Sequence, residues 1–244
     1  MTKEAKILIA IAVVVVIGGV LLAVFANPRP KDPGAPVDGK SLVRDSSHMT
    51  GKLGAKVTIV EFGDFQCPAC GAAHPIIKQV LDAYKDNPDV NFVFRNFPLD
   101  QIHPNAHIAA EAAEAAGAQN KYWEMHDMLY EKQDEWSTNP DPVTVFADYA
   151  TSLGLNVDTF KQAVSQRLYA DIIKTDYADG QSVEVNSTPT FFINGVKEAK
   201  VLSFDEFKAK IDAELAKKDD GQETQTPEQS ADKPAEESAK QPIQ

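Results

Sequence analysis

Two short runs, Val57-Thr58-Ile59-Val60-Glu61-Phe62 and Val90-Asn91-Phe92-Val93-Phe94, are rich in β-branched and aromatic residues. Both read as buried strands. Between them Ile76, Ile77, Val80, Leu81 and Tyr84 recur at helical spacing. A strand, a helix and a second strand in that order imply parallel strands, and so an α/β fold. Pro75 lies inside the helix and, lacking a backbone donor, is expected to kink it.

The rest of the chain fits around that unit. HIAAEAAEAAGA is built from the best helix former, and KYWEMHDMLY repeats its apolar residues at three and four. Asp141-Pro142 offers a helix cap followed by proline at the first helical position. Phe160, Val164 and Leu168 continue the helical pattern, as do Ile173 and Tyr177. Strands return at Thr190 to Ile193 and Val196 to Leu202, joined by the hairpin dipeptide Asn194-Gly195. A capping-box sequence, Ser203-Phe204-Asp205-Glu206, opens a last helix that should bury Phe204, Phe207, Ile211 and Leu215. The expected fold is a mixed sheet with helices on its faces and a helical insertion over about residues 101–184. Leu42 and Val43 are expected to add one further strand.

The flanks have different compositions. Ile7 to Ala26 is a run of twenty uncharged residues, long enough at about 1.5 Å per residue to cross a bilayer. The expectation is a single transmembrane anchor at 7–26, behind a short cytoplasmic N-terminus at 1–6. A cleaved signal peptide is the competing reading, and either one exports the remainder of the chain. Residues 27–39 contain four prolines and two glycines and read as an extended linker. In 217–244 acidic residues outnumber lysines and Ile243 is the only large apolar side chain, which marks a disordered acidic tail. The folded domain is then expected at 40–216. A net charge of −12 with no basic cluster excludes nucleic acid as a partner.

The chain has two cysteines, Cys67 and Cys70, where the first strand hands over to the helix. Free N–H groups and the helix dipole favour negative charge there, and Pro68 costs nothing in the first turn. Cys67 is therefore expected to be an exposed nucleophilic thiolate, with Cys70 the deeper resolving thiol. Haem attachment fails because Gly71 follows Cys70 where histidine would be required. A zinc site would need His103 and His107 to complete it from another element. A purely structural disulfide across so short a loop would constrain little of the unfolded chain. His74 is expected at the surface, and His48, His103, His107 and His126 as structural or surface residues.

VTIVEFGDFQCPACG, HPNAHIAAEAA and STPTFFING together resemble the DsbA-like branch of the thioredoxin superfamily, in its membrane-anchored or exported bacterial form. The resemblance covers about residues 40–216. It implies a thioredoxin fold with the helical insertion between its βαβ and ββα halves, and thiol-disulfide exchange through Cys67 and Cys70. Pro189 matches the family's cis proline, and Thr188 with Pro189 is implied to bind substrate peptide. Glu61, in an otherwise apolar strand, matches a buried acid that exchanges a proton with Cys70 through water. Neither a metal nor another cofactor is implied. The implied partners are reduced or misoxidised exported proteins, the membrane through Ile7 to Ala26, and a membrane quinone-linked protein that restores the disulfide. The expected place is the cell membrane, with the catalytic domain outside the cytoplasm. Oxidation of clients is the leading expectation. Reduction or isomerisation by the same fold, and a non-catalytic anchored binding module, are the alternatives. Pro68-Ala69 replaces the histidine that the strongest oxidants of this family carry between their cysteines, so a Cys67 pKa between about 3.5 and 7 is expected.

Overall fold

The computed structural model describes residues 36–37 and 39–217. The expected anchor at 7–26, the segment 1–6, most of the linker and the tail from 218 onward lie outside the described residues. Among the described residues no helix is long and apolar enough to cross a membrane.

A short helix α1 (Gly39–Leu42) leads to β1 (His48–Thr50), β2 (Val57–Gly63), α2 (Pro68–Tyr84) and β3 (Val90–Asn96). The insertion comes next, as α3 (Ala106–Gly117), α4 (Tyr122–Glu131), α5 (Gln133–Trp136), α6 (Pro142–Ser152), α7 (Val157–Gln166) and α8 (Ala170–Ser182). The chain closes with β4 (Thr190–Ile193), β5 (Val196–Lys197) and α9 (Phe204–Ala216). The sheet order is β1-β3-β2-β4-β5. Only β2 and β3 run parallel, with Glu61 opposite Phe94, while β4 lies antiparallel on the other side of β2 with Phe191 opposite Glu61.

Both faces of the sheet are covered, so its central strands are buried almost throughout. Side chains alternate along β2. Val60 and Phe62 join Val93, Phe97 and Phe192 in a smaller core, with Leu42, Val183 and Val185 packed from α1 and the end of α8. Ile59 belongs to the larger core, which holds Cys67, Cys70, Ile77 and Phe207 and runs into the insertion. Each fully buried phenylalanine in these layers contributes about 1.5–3 kcal/mol. At the end of β2, Gly63 has no room for a side chain: a Cβ would come within 2.4 Å of the Phe94 ring and 2.9 Å of the Tyr130 hydroxyl.

Polar groups fasten the second face. Arg95 of β3 is fully buried. Its guanidinium donates to Asp176 Oδ1 at 2.7 Å and to the Leu42 carbonyl at 2.8 Å, and also reaches Asp179. It thereby ties α8 and α1 to the sheet. Arg44 meets Asp179 from the solvent side.

At one pole of the sheet the Asn194-Gly195 turn has both residues at positive φ, 47° and 82°. The Asn194 amide accepts from Thr58 N at 2.9 Å and donates to the Lys56 carbonyl and to Glu214 Oε2 at 3.0 Å. Gly195 O accepts from Val37 N at 3.0 Å, and the Lys56 ammonium donates to Lys217 O.

Several expectations are corrected. Leu42 ends a helix and Val43 belongs to no strand; the additional strand is His48–Thr50, held by its pairing with Phe92–Phe94. β5 stops at Lys197, and only the bond from Glu198 N to Phe191 O carries the ladder one step further. Leu168 is exposed, because Arg167 in a left-handed conformation ends α7 and breaks the periodicity. Pro75 lies inside α2, as expected, and the helix does not end there.

Candidate active site

Cys67 is the N-cap of α2, in an extended conformation with φ −69° and ψ 122°, and Pro68 takes the first helical position. The backbone N–H groups of Ala69 and Cys70 therefore converge on its sulfur. The pair is in the dithiol form. Cys67 is less exposed than expected: its exposure is 7%, against 0% for Cys70. The expectation of an exposed nucleophile therefore needs correcting to one that shows only its edge, because the loop before β4 closes over it. Cys67 Sγ donates to the Thr188 carbonyl at 3.4 Å, and the Thr188–Pro189 bond is cis.

The two thiols differ in acidity. A hydrogen bond from Cys70 lowers the Cys67 pKa to about 5; burial opposes this, while the Thr188 side chain and the two backbone amides assist. Burial pushes the Cys70 thiol well above its ordinary value, and its hydrogen bond to Cys67 and the nearby Glu61 charge push it further. Glu61 is 3% exposed. Burial, then the Cys67 charge, raises its pKa to about 8. The arrangement concentrates one negative charge on Cys67 and keeps its two neighbours protonated at neutral pH.

A clasp from the insertion holds the loop before α2. Gln133 Nε2 donates to the Phe65 carbonyl at 2.7 Å and to the Cys67 carbonyl at 3.0 Å. Gln66 donates to the Ser137 carbonyl at 2.7 Å and accepts from Asn105 N at 2.6 Å. Asp64 accepts from Gln66 N and Leu99 N at 2.8 and 2.9 Å and meets His103 Nδ1 at 2.7 Å. Sequence reasoning missed Asp64, Gln66, Asn105 and Gln133. Only Asp64-Phe65-Gln66 carried a local signal, that of an Asx turn.

The histidines lie apart from the cysteines' hydrogen-bond shell. His103 is engaged by Asp64, and His107 faces Asp100 at 3.5 Å and Glu111 at 3.8 Å. His74 is not at the surface but 5% exposed, because α4 covers that side of α2 and lays Tyr130 and His126 against it. Burial lowers its pKa to about 4.

Comparison with known proteins agrees with this geometry. A family model described as Thioredoxin matches residues 44–213. The Na(+)/H(+) antiporter NhaA 1 of Salinispora arenicola is 42% identical over 151 residues, which are 62% of this chain and 22% of that protein. The chain thus spans only about a fifth of the length of such relatives. The probable disulfide bond formation protein D of Bacillus anthracis is 28% identical over 219 residues, covering 86% of this chain and 95% of that protein. Oxidised BdbD from Bacillus subtilis superposes with a TM-score of 0.64 at 27% identity, covering 75% of this chain and 97% of that one. With a strand-to-helix cysteine pair, a cis Thr188–Pro189 bond beside it and a matched domain of this extent, the chain belongs to the thioredoxin family, and within it is similar to BdbD and the probable disulfide bond formation protein D.

Proposed function

We propose that the chain oxidises cysteine pairs in exported proteins, using a Cys67–Cys70 disulfide. The observation that carries this reading is the asymmetry of the dithiol, with Cys67 at a pKa of about 5 and Cys70 raised well above the ordinary range. A stabilised thiolate favours the reduced form of the enzyme, which makes the disulfide the stronger oxidant. Once the pKa lies below the ambient pH, each further tenfold gain in acidity contributes about 1.4 kcal/mol to that preference.

In the cycle, a client thiolate attacks Cys67 Sγ, the Cys67–Cys70 bond breaks, and Cys70 leaves with the electron pair. Glu61, protonated below about pH 8, supplies the proton to Cys70 through water. A second client thiolate then attacks the client sulfur of the mixed disulfide. Cys67 leaves as a thiolate, and the client has lost two electrons to the enzyme. Thr188 and Pro189 border Cys67 and receive the client backbone as an added strand. Clients are reduced or misoxidised exported proteins, Ile7 to Ala26 anchors the chain with this domain outside the cytoplasm, and a membrane quinone-linked partner restores the disulfide.

Equilibration against glutathione tests the direction. A Cys67 pKa of about 5 lies between those of DsbA and thioredoxin, so the potential should fall between about −120 and −270 mV. A value below that interval makes the chain a reductase and removes the oxidase reading.

The thiolate also sets a pH dependence. The folded pKa of Cys67 lies below its unfolded value of 9.0, so its contribution to the stability of the dithiol form is complete above about pH 9. That contribution is lost as pH falls through about 5. The disulfide form has no such titration. Alkylation of the reduced chain by iodoacetamide should accordingly be half-maximal near pH 5 and level off by neutrality. A midpoint near that of free cysteine, about 8.5, would contradict the assignment.

A further inference from the structure

One turn beyond Cys70, α2 and α4 bring together His74, His126 and Asp127, each with a potential ligand atom within 4.8 Å of the others. We propose that these three side chains form a binding site for a divalent transition cation, best matched by Zn²⁺, with Glu131 as the fourth ligand. The proposal is independent of the thiol chemistry.

The geometry carries it. A tetrahedral zinc with ligands at about 2.0–2.1 Å has ligand-to-ligand edges of about 3.3 Å. His126 Nδ1 is 3.2 Å from Asp127 Oδ1, His74 Nε2 is 3.7 Å from the same oxygen, and His74 Nε2 is 3.9 Å from Glu131 Oε1. To complete the shell the ligand atoms, now within 4.8 Å of one another, would close by up to about 1.5 Å and the Glu131 side chain would swing inward. His74 Nε2 is buried and has no hydrogen-bond partner, a costly state for an imidazole nitrogen in an apolar setting. The ring is held by His126 at 5.5 Å and Tyr130 at 5.1 Å between centroids, so its orientation toward the carboxylates is fixed.

The donor set fits the metal. Both imidazoles offer a ring nitrogen, which ligates in its neutral form. Two imidazole nitrogens with carboxylate oxygens suit zinc rather than calcium or magnesium, which prefer oxygen alone. The carboxylates are reachable from solvent, since the Asp127 and Glu131 side chains are 34% and 52% exposed. A cation of the chain itself already balances them: Lys78 Nζ lies 2.7 Å from Asp127 Oδ2 and 3.0 Å from Glu131 Oε1. A divalent ion would displace that flexible ammonium, which makes Lys78 a built-in competitor.

The test uses the full chain with its cysteines closed as the disulfide, so that no thiolate can take the metal. After treatment with chelator it is titrated with Zn²⁺ alone, by calorimetry or against a chromophoric indicator. The wild type should bind one equivalent saturably. Asp127→Asn, a change at a partly exposed position that leaves the fold intact, should weaken binding by about tenfold or more. Lys78→Met should tighten it. Equal affinity in wild type and Asp127→Asn, or no saturable uptake by the wild type, overturns the assignment. Equal affinity would place the ion on the acidic surface instead.

Discussion

Cys67→Ser should abolish disulfide formation in a reduced, unfolded test protein, with a fall on the order of a thousandfold or more. The hydroxyl of serine stays protonated at neutral pH, and the amide hydrogens converging on position 67 cannot bring it near ionisation. The remaining thiol, Cys70, is buried and pushed well above the ordinary range, so it cannot take over. The variant should stay folded but melt somewhat below the dithiol wild type at neutral pH, because the thiolate held by the Ala69 and Cys70 amides is gone. Oxidation at the wild-type rate by Cys67→Ser would remove the enzyme reading and leave an anchored binding module.

Arg95→Met should lower stability by about 3–5 kcal/mol, the cost of leaving buried charge without its partner. Asp176 would lose its guanidinium bond while still buried against Asn96, and the Leu42 carbonyl would lose its donor. For a domain of this size the melting temperature should drop by on the order of 10 °C. Arg44→Met is the contrast. That guanidinium is nearly half exposed and caps Asp179 from solvent, so its loss should cost about 1 kcal/mol or less. Equal effects from the two variants would mean that Arg95 does not bind the helices to the sheet.

What could be read from the sequence was local. The strand, helix and strand around the cysteines, the Asn194-Gly195 hairpin and the Ser203–Glu206 capping box each depend on residues within a few positions of one another, and each formed. The cysteine pair and its setting were equally legible, since the strand-to-helix junction is itself a local feature. Features that depend on tertiary contact were not legible. His48–Thr50 is a strand only because Phe92–Phe94 supplies its partner, and its three residues carry no alternation to betray it. His74 looked like a surface residue because nothing near it in sequence shows that α4 will cover it. Gln133 reaches the Cys67 carbonyl across 66 residues, and Asn105 reaches Gln66 across 39, so no window of sequence contains either bond.

Val37, near the start of the described chain, and Lys217, at its end, both attach beside the Asn194 turn where β2 begins, whereas Cys67 comes after the point where β2 finishes. Whatever adjoins this domain, in this chain or in the much longer relatives, is thereby joined near one end of β2, and Cys67 lies beyond the other. Under the proposed function, such a module can be tethered, fused or extended without obstructing the approach of a client to Cys67.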